Sequence, residues 1–347
     1  LGIVGAMKRS RNKRKPKKKK LLHLVHNCTL RKIGGGGAGT LKLNVNAIDP
    51  EIKHCSPLAK QHHVSHSCLT PEAIFSVRDA YNRKHPPSQK IDTTLSAYNA
   101  SSLLRKRLGT ACHKHQNDED PDTTCWLNQI SDDRVRRHFQ DTLLVPKQPC
   151  KIKDPYCWLS NWDIAAVLKQ YESAYPEFKL FGPTVLDYDA HLDDGKCVDE
   201  DVCHFNLKKE IQNHKTKLAF SFNLSKHDEP GTHWTTLFVN VDDALLYYYD
   251  SALNPVPKEI QKLVAEITRQ GQESKVAFTF QKNKHQHQHT NTECGMYSLF
   301  FSIVMLTGEL PDNTRLPSTQ ARVNLFGLQR IPDAIMKKLR SVYFSSS

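Results

Sequence analysis

Cys294 stands at the head of an almost wholly apolar run, CGMYSLFFSIVML (294–306), and is followed at once by Gly295. A run of helix length with no polar face predicts a buried helix. At a helix N-terminus the unpaired amides and the macrodipole favour a thiolate, the nucleophilic form of cysteine. Gly295 would let a substrate backbone come close. His233 opens a second apolar run, HWTTLFVNV, after the polar stretch SKHDEPGT, and Asp250 closes a third, ALLYYYD. If these two runs pair as a hairpin through Asp242-Asp243, His233 and Asp250 fall near one end of adjacent strands. There a carboxylate can orient an imidazole. Gln288, six residues before Cys294, offers an amide NH2 that could share an oxyanion hole with the Cys294 backbone N–H. Asn291, three residues before, is a competing amide. Together these groups suit nucleophilic attack on a carbonyl. Each alone has a plainer reading: a buried structural thiol, one His among 18, a turn-forming Asp. Their combined order is far more specific.

The elements that must position these residues are legible from hydrophobic period. KLAFSFNL (217–224), HWTTLFVNV (233–241), ALLYYYD (244–250) and KVAFTFQ (275–281) are short β-branched or aromatic runs that predict strands. PKEIQKLVAEITRQG places Ile260, Leu263, Val264 and Ile267 on one helical face and stops at Gly271. NWDIAAVLKQYESAYP predicts a helix capped by Asn161, and residues 185–205 read as a long acidic loop. The expected architecture is α+β: a mostly antiparallel sheet against a central buried helix, flanked by amphipathic helices.

Upstream, LTPEAIFSVRDAYNRKH starts a helix with Thr70 as N-cap and Pro71 at the first position. A shorter helix is expected at 100–108, closed by Gly109. The chain divides into a basic, Gly-rich flexible arm (1–45), a small helical accessory region (46–150) and a larger domain (151–347). Of the net charge of +13, ten units come from Lys8, Arg9, Arg11, Lys13, Arg14, Lys15, Lys17, Lys18, Lys19 and Lys20, leaving about +3 elsewhere. Such a block repels itself, stays disordered and is expected to bind DNA or RNA through phosphates. Gly34–Gly37 and Gly39 read as a glycine linker, or alternatively as small-residue sites for self-cleavage at Gly36-Gly37-Ala38 and Ala38-Gly39-Thr40.

With no apolar leader and no run of membrane-spanning length, the expectation is an intracellular or virion protein, not secreted and not membrane-bound. The ten cysteines are then expected to be mostly unpaired thiols. No C-x-x-C pair supports a zinc site, and no metal or cofactor is expected. His285, His287 and His289 alternate along an extended segment and read as a solvated strand face, with a metal site as the lesser alternative. His62, His63 and His66, between Cys55 and Cys68, have imperfect zinc spacing.

His233-Trp234, then Tyr248-Tyr249-Asp250, then Gln288-x5-Cys294-Gly295 resemble the papain-like cysteine proteases of one group. The group comprises the proteases specific for ubiquitin-like proteins, the adenovirus endopeptidase, and the maturation proteases of poxviruses and African swine fever virus. GTHWTTLFVNV, YYYDSALNPVP, TNTECGMYSLFF and CWLSNWDIAAVLKQY carry the resemblance, which spans roughly residues 150–344. It implies His233 as base, Asp250 as its orienting partner, Cys294 as nucleophile and Gln288 as oxyanion donor. In the swine-fever type an asparagine stands where Asp250 does. The resemblance also implies that Trp234 packs beside a cleft narrow enough to select glycine. Expected substrates are viral core or capsid precursors cut at Gly-Gly-X or Ala-Gly-X, in virions and virus factories. Two alternatives stay open: a deconjugase for a ubiquitin-like modifier, and an inactive protease-fold protein bound to nucleic acid in a virion core.

Overall fold

The computed structural model describes residues 39–44, 54–64, 67–112, 121–150 and 156–345. The basic run from Lys8 to Lys20, the glycines 34–37 and His66 lie outside them. Among the described residues no helix is long and apolar enough to cross a membrane.

The chain enters as a two-residue strand, β1 (Gly39–Thr40), followed by five helices: α1 (Pro57–His62), α2 (Pro71–Lys84), α3 (Ala97–Cys112), α4 (Pro121–Leu127) and α5 (Asp133–Leu143). Thr70 does precede α2, but its side chain makes no cap bond; Pro71 at the first position defines the start. The expected stop at Gly109 fails, because α3 runs through it to Cys112. These helices surround their own core, in which Ile74, Val77, Leu104 and Trp126 are enclosed.

α6 (Asn161–Ala174) follows, capped by Ser160 and not by Asn161. Ser160 and Asp163 form a reciprocal capping box, a pairing Asn161 could not make from inside the first turn. Next come β2 (Phe178–Val185), two short helices α7 (Glu200–Cys203) and α8 (Leu207–Gln212), and the strands β3 (Lys217–Asn223), β4 (Trp234–Asn240) and β5 (Leu245–Tyr249). α9 (Lys258–Glu273), β6 (Thr279–Lys282), α10 (Cys294–Thr307), α11 (Thr319–Leu328), β7 (Gln329–Arg330) and α12 (Asp333–Tyr343) complete the chain.

The five-stranded sheet has the order β2-β3-β4-β5-β6. Its two central pairings are antiparallel and the outer two, β2 with β3 and β5 with β6, are parallel, so the sheet is more evenly mixed than expected. Side chains alternate between its faces. Trp234, Phe238, Tyr247 and Tyr249 join α6, α10 and α12 in one core, whereas Leu237, Val239, Leu246 and Tyr248 meet Ile260, Leu263 and Ile267 of α9 in another. Both faces are covered, which is why β4 and β5 read as unbroken apolar runs. α10 is buried along its length from Cys294 to Leu306 and ends at Gly308, whose φ of 68° closes the helix. Each large apolar side chain enclosed there contributes about 2 kcal/mol.

Two further expectations are overturned. Residues 39–44 are not free chain: β1 pairs in parallel with β7, Leu41 N–H donates to the Arg330 carbonyl, and Asn44 N–H donates to Asp312. Gly39 and Thr40 are therefore strand-paired and not the extended, unpaired chain that self-cleavage between them would need; Ala38 lies outside the described residues. The cysteines are also not unpaired thiols. Cys55–Cys68, Cys112–Cys125, Cys150–Cys157 and Cys197–Cys203 are disulfides, and Cys294 is the free cysteine among the described residues. A compartment argument says nothing about distance; the partners of each pair lie only 6 to 13 residues apart in sequence. The Cys55–Cys68 bond also removes the zinc reading around His62 and His63.

His287 departs from the solvated face expected of it. It is wholly enclosed, with Nε2 donating to the Phe326 carbonyl (3.1 Å) and Nδ1 accepting from the Ile331 amide (3.1 Å). An acceptor nitrogen carries no proton, so the ring is neutral, and burial lowers its pKa to about 4. The folded protein thus refuses a proton that the unfolded chain takes near 6.5. Stability should fall as pH drops below about 6.5, by about 3 kcal/mol once pH is below about 4. Urea midpoints between pH 7 and 4 test this. His287→Gln should be weaker at pH 7 yet show a flatter acid decline than wild type.

Candidate active site

Three elements converge on one end of the sheet. β4 begins at Trp234, so His233 is the last residue of the preceding loop, and its carbonyl accepts from the Leu224 amide, which ties that loop to the end of β3. The antiparallel register Thr236↔Tyr249 brings Asp250, one residue past β5, alongside His233. His233 Nε2 and Asp250 Oδ1 are 2.6 Å apart. Cys294, the first residue of α10, is hydrogen-bonded to the same imidazole. The structure therefore brings His233, Asp250 and Cys294 together as the sequence led us to expect.

Asp250 is held from every side. Its Oδ1 also accepts from the Ala252 amide and its Oδ2 from the Asn254 amide. Asn283 brackets its backbone, accepting from Asp250 N–H (3.1 Å) and donating to the Asp250 carbonyl (2.7 Å). Only 1 % of Asp250 is exposed, so its carboxylate has little freedom to turn away from His233. For His233, desolvation disfavours the charged ring. The hydrogen bonds to Asp250 and Cys294, with the charges of both groups, outweigh it and carry the pKa up to about 9. The ring can thus stay protonated beside Cys294 at neutral pH, and the amides at a helix N-terminus favour negative charge on a residue placed there.

Gln288 is buried and anchored. Its Oε1 accepts from the Ser251 hydroxyl (2.7 Å) and its Nε2 donates to the Thr290 carbonyl (2.6 Å). The Ser251 carbonyl in turn accepts from the Gln288 amide. A carboxamide has two N–H bonds, so one remains for a developing oxyanion. Asn291 is exposed in the turn before α10, a looser position for such a donor. Trp234 is buried, and its indole N–H donates to the Leu159 carbonyl (2.8 Å). A Cβ on Gly295 would lie 2.9 Å from the Leu159 Cβ, so the glycine admits Leu159 against the head of α10.

Among the described residues, the side chains close enough to share a metal ion are Cys197, Cys203 and His204, and the two sulfurs are bonded to each other.

This arrangement agrees with what known proteins show. The sequence pattern of the Ulp1 protease family, C-terminal catalytic domain, matches residues 208–343. A thiol protease of Acanthamoeba polyphaga mimivirus is 31 % identical over 272 residues, covering 72 % of this chain and 83 % of the relative. The chain belongs to the Ulp1 protease family. It is a cysteine peptidase with a viral thiol protease among its relatives. Crystal structures of an African swine fever virus protease share its fold. One aligns at 18 % identity with a TM-score of 0.50, covering 70 % of this chain and 90 % of that one. The selenomethionine form gives 19 %, 0.50, 86 % and 98 %.

Several residues of this Ulp1-family site gave no signal in the sequence. Asn283, Ser251 and Glu293 are all enclosed around the triad. Asn283 sits in a polar run, QKNKHQHQH, with no period to single it out. Leu159 falls within CWLSNWDI, a segment quoted for its resemblance alone.

With His233 charged up to about 9, kcat/KM for a small peptide should fall on the basic side with a midpoint near that pH, because the ring then lacks the proton owed to the leaving amine. Asp250→Asn removes the carboxylate that raises the value, so the midpoint should move down by more than one pH unit, together with a loss of turnover. Stopped-flow cleavage between pH 5 and 10 reads both.

Proposed function

We propose that this protein is a maturation endopeptidase of a virus, cutting core or capsid precursors at Gly-Gly-X and Ala-Gly-X sites. The hydrogen-bonded series Asp250, His233, Cys294 carries the reading. His233 and Cys294 form the ion pair, the Cys294 sulfur attacks the carbonyl carbon, and the spare Gln288 N–H with the Cys294 amide holds the oxyanion. His233 protonates the leaving amine, and water, deprotonated by His233, then releases the acyl group from sulfur. The mimivirus relative is a thiol protease of a virus, which supports the viral setting. We place the enzyme in virions and virus factories, with the basic run Lys8–Lys20 binding DNA or RNA. The family match favours a second reading, removal of a ubiquitin-like modifier, with the same chemistry on another protein.

Purified protein should cleave a fluorogenic peptide ending in Gly-Gly and release fragments from a viral core precursor. Cleavage of a ubiquitin-like conjugate in place of the precursor would select the second reading. Cys294→Ala should be folded and inactive; retained wild-type turnover would end the assignment. Gln288→Ala should lose about 10²–10³ in kcat with little change in KM. If Asn291→Ala is crippled instead, the oxyanion donor is Asn291. Deleting residues 8–20 should abolish salt-sensitive DNA binding and spare peptide cleavage.

A further inference from the structure

Immediately before the nucleophile lies a charge that should oppose it. Glu293 is the N-cap residue of α10, is 0 % exposed, and makes no side-chain cap bond to the helix. An enclosed carboxylate next to Cys294 repels a thiolate and counters the favourable helix dipole. Its side chain instead reaches Arg340 on α12, itself 2 % exposed, with Nε 3.0 Å from Oε2. The Thr292 hydroxyl donates to the other oxygen, Oε1.

The other two guanidinium nitrogens of Arg340 bond to neighbouring segments. Nη1 donates to Cys150 Sγ (3.2 Å), within the Cys150–Cys157 disulfide. Nη2 donates to the Cys157 carbonyl (2.8 Å) and the Thr292 carbonyl (3.3 Å). Cys157 is two residues from Leu159, whose carbonyl holds Trp234 and whose side chain covers Gly295. Thus one planar fork joins the segment that delivers the nucleophile, the loop that walls it and the last helix of the chain.

We propose that Arg340 is a positioning residue for Cys294: it neutralises Glu293 and holds Cys150 and the Cys157–Leu159 segment near the head of α10. This rests on the reading of Cys294 as nucleophile. The charged groups around Cys294 give the sign. His233 faces it from the start of β4, with Asp250 behind the ring; Glu293 adjoins it on its own chain, with Arg340 behind that. Asp163 of α6 is turned onto its own cap, Ser160. Asp333 of α12 accepts from the His289 amide and the Tyr297 hydroxyl. Glu293 is therefore the uncompensated anion if Arg340 loses its charge.

The test is the pH dependence of Cys294 alkylation by iodoacetamide, read by peptide mass spectrometry so that no substrate is involved. Arg340→Met should raise the midpoint by about one pH unit, a tenfold slowing below it. Glu293→Gln should lower the midpoint, and the double variant should return close to wild type. Arg340→Lys, which keeps the charge and loses the fork, should hold the wild-type midpoint. A purely structural pair would instead give loss in both single variants with no opposite displacement. Arg340→Met leaves a buried unpaired charge and is the variant at risk of not folding. Glu293→Gln and the double variant then decide. An unmoved midpoint in Glu293→Gln, or a double variant displaced as far as either single, overturns the proposal. If Cys294 were not the nucleophile, Cys294→Ala would remain active while these alkylation midpoints still moved, so the two failures are distinguishable.

Discussion

A helix that is apolar on every side has to be enclosed on every side, and the enclosure of α10 organises the rest of the domain. One flank is met by the Trp234, Phe238, Tyr247 and Tyr249 face of the sheet, another by α6, and a third by α11 and α12. Only the ends of such a helix can meet solvent or substrate, so its first residue is the natural place for a reactive group. Cys294 is there, still 3 % exposed, with amides and dipole directed at it. The catalytic base immediately precedes the strand that packs against that same helix, so the fold places the pair by the same contacts that stabilise it.

Around this centre, the polar side chains of the site are anchored by their neighbours. Asp250 is held by three neighbours besides the histidine, Gln288 by Ser251 and Thr290, and Asn283 by both backbone groups of Asp250. Such networks limit motion at low dielectric, where an unsatisfied partner is costly. The catalytic groups are thus ordered before substrate arrives, and less reorganisation is left for the reaction.

Much of this was legible from residue order, for reasons that differ by element. β3, β4, β5 and α10 have strong hydrophobic periods and sharp limits; α9 has the period but runs past the expected stop at Gly271 to Glu273. The hairpin register that joins His233 to Asp250 follows from counting across Asp242-Asp243. β2 was not legible, since Gly182-Pro183 falls inside it and reads as a turn; an edge strand tolerates the break, here as a register shift between Phe181 and Thr184. The disulfides were not legible because pairing depends on distance. Nor was the Glu293–Arg340 pair, whose members are 47 residues apart and look like ordinary surface charges until the chain encloses them.

The disulfides share one property: their sequence separations are 13, 13, 7 and 6 residues. None of them fastens the sheet to a helix that covers it, and none reaches α10. They are local staples, and the long-range topology rests on packing and hydrogen bonds alone. A thiol enzyme needs surroundings reducing enough to keep its own sulfur free, and such surroundings open cystines. In this chain the two demands hardly conflict. Reduction would open four short-range links and leave the route of the backbone through the sheet untouched, so the scaffold can persist in the milieu its nucleophile requires.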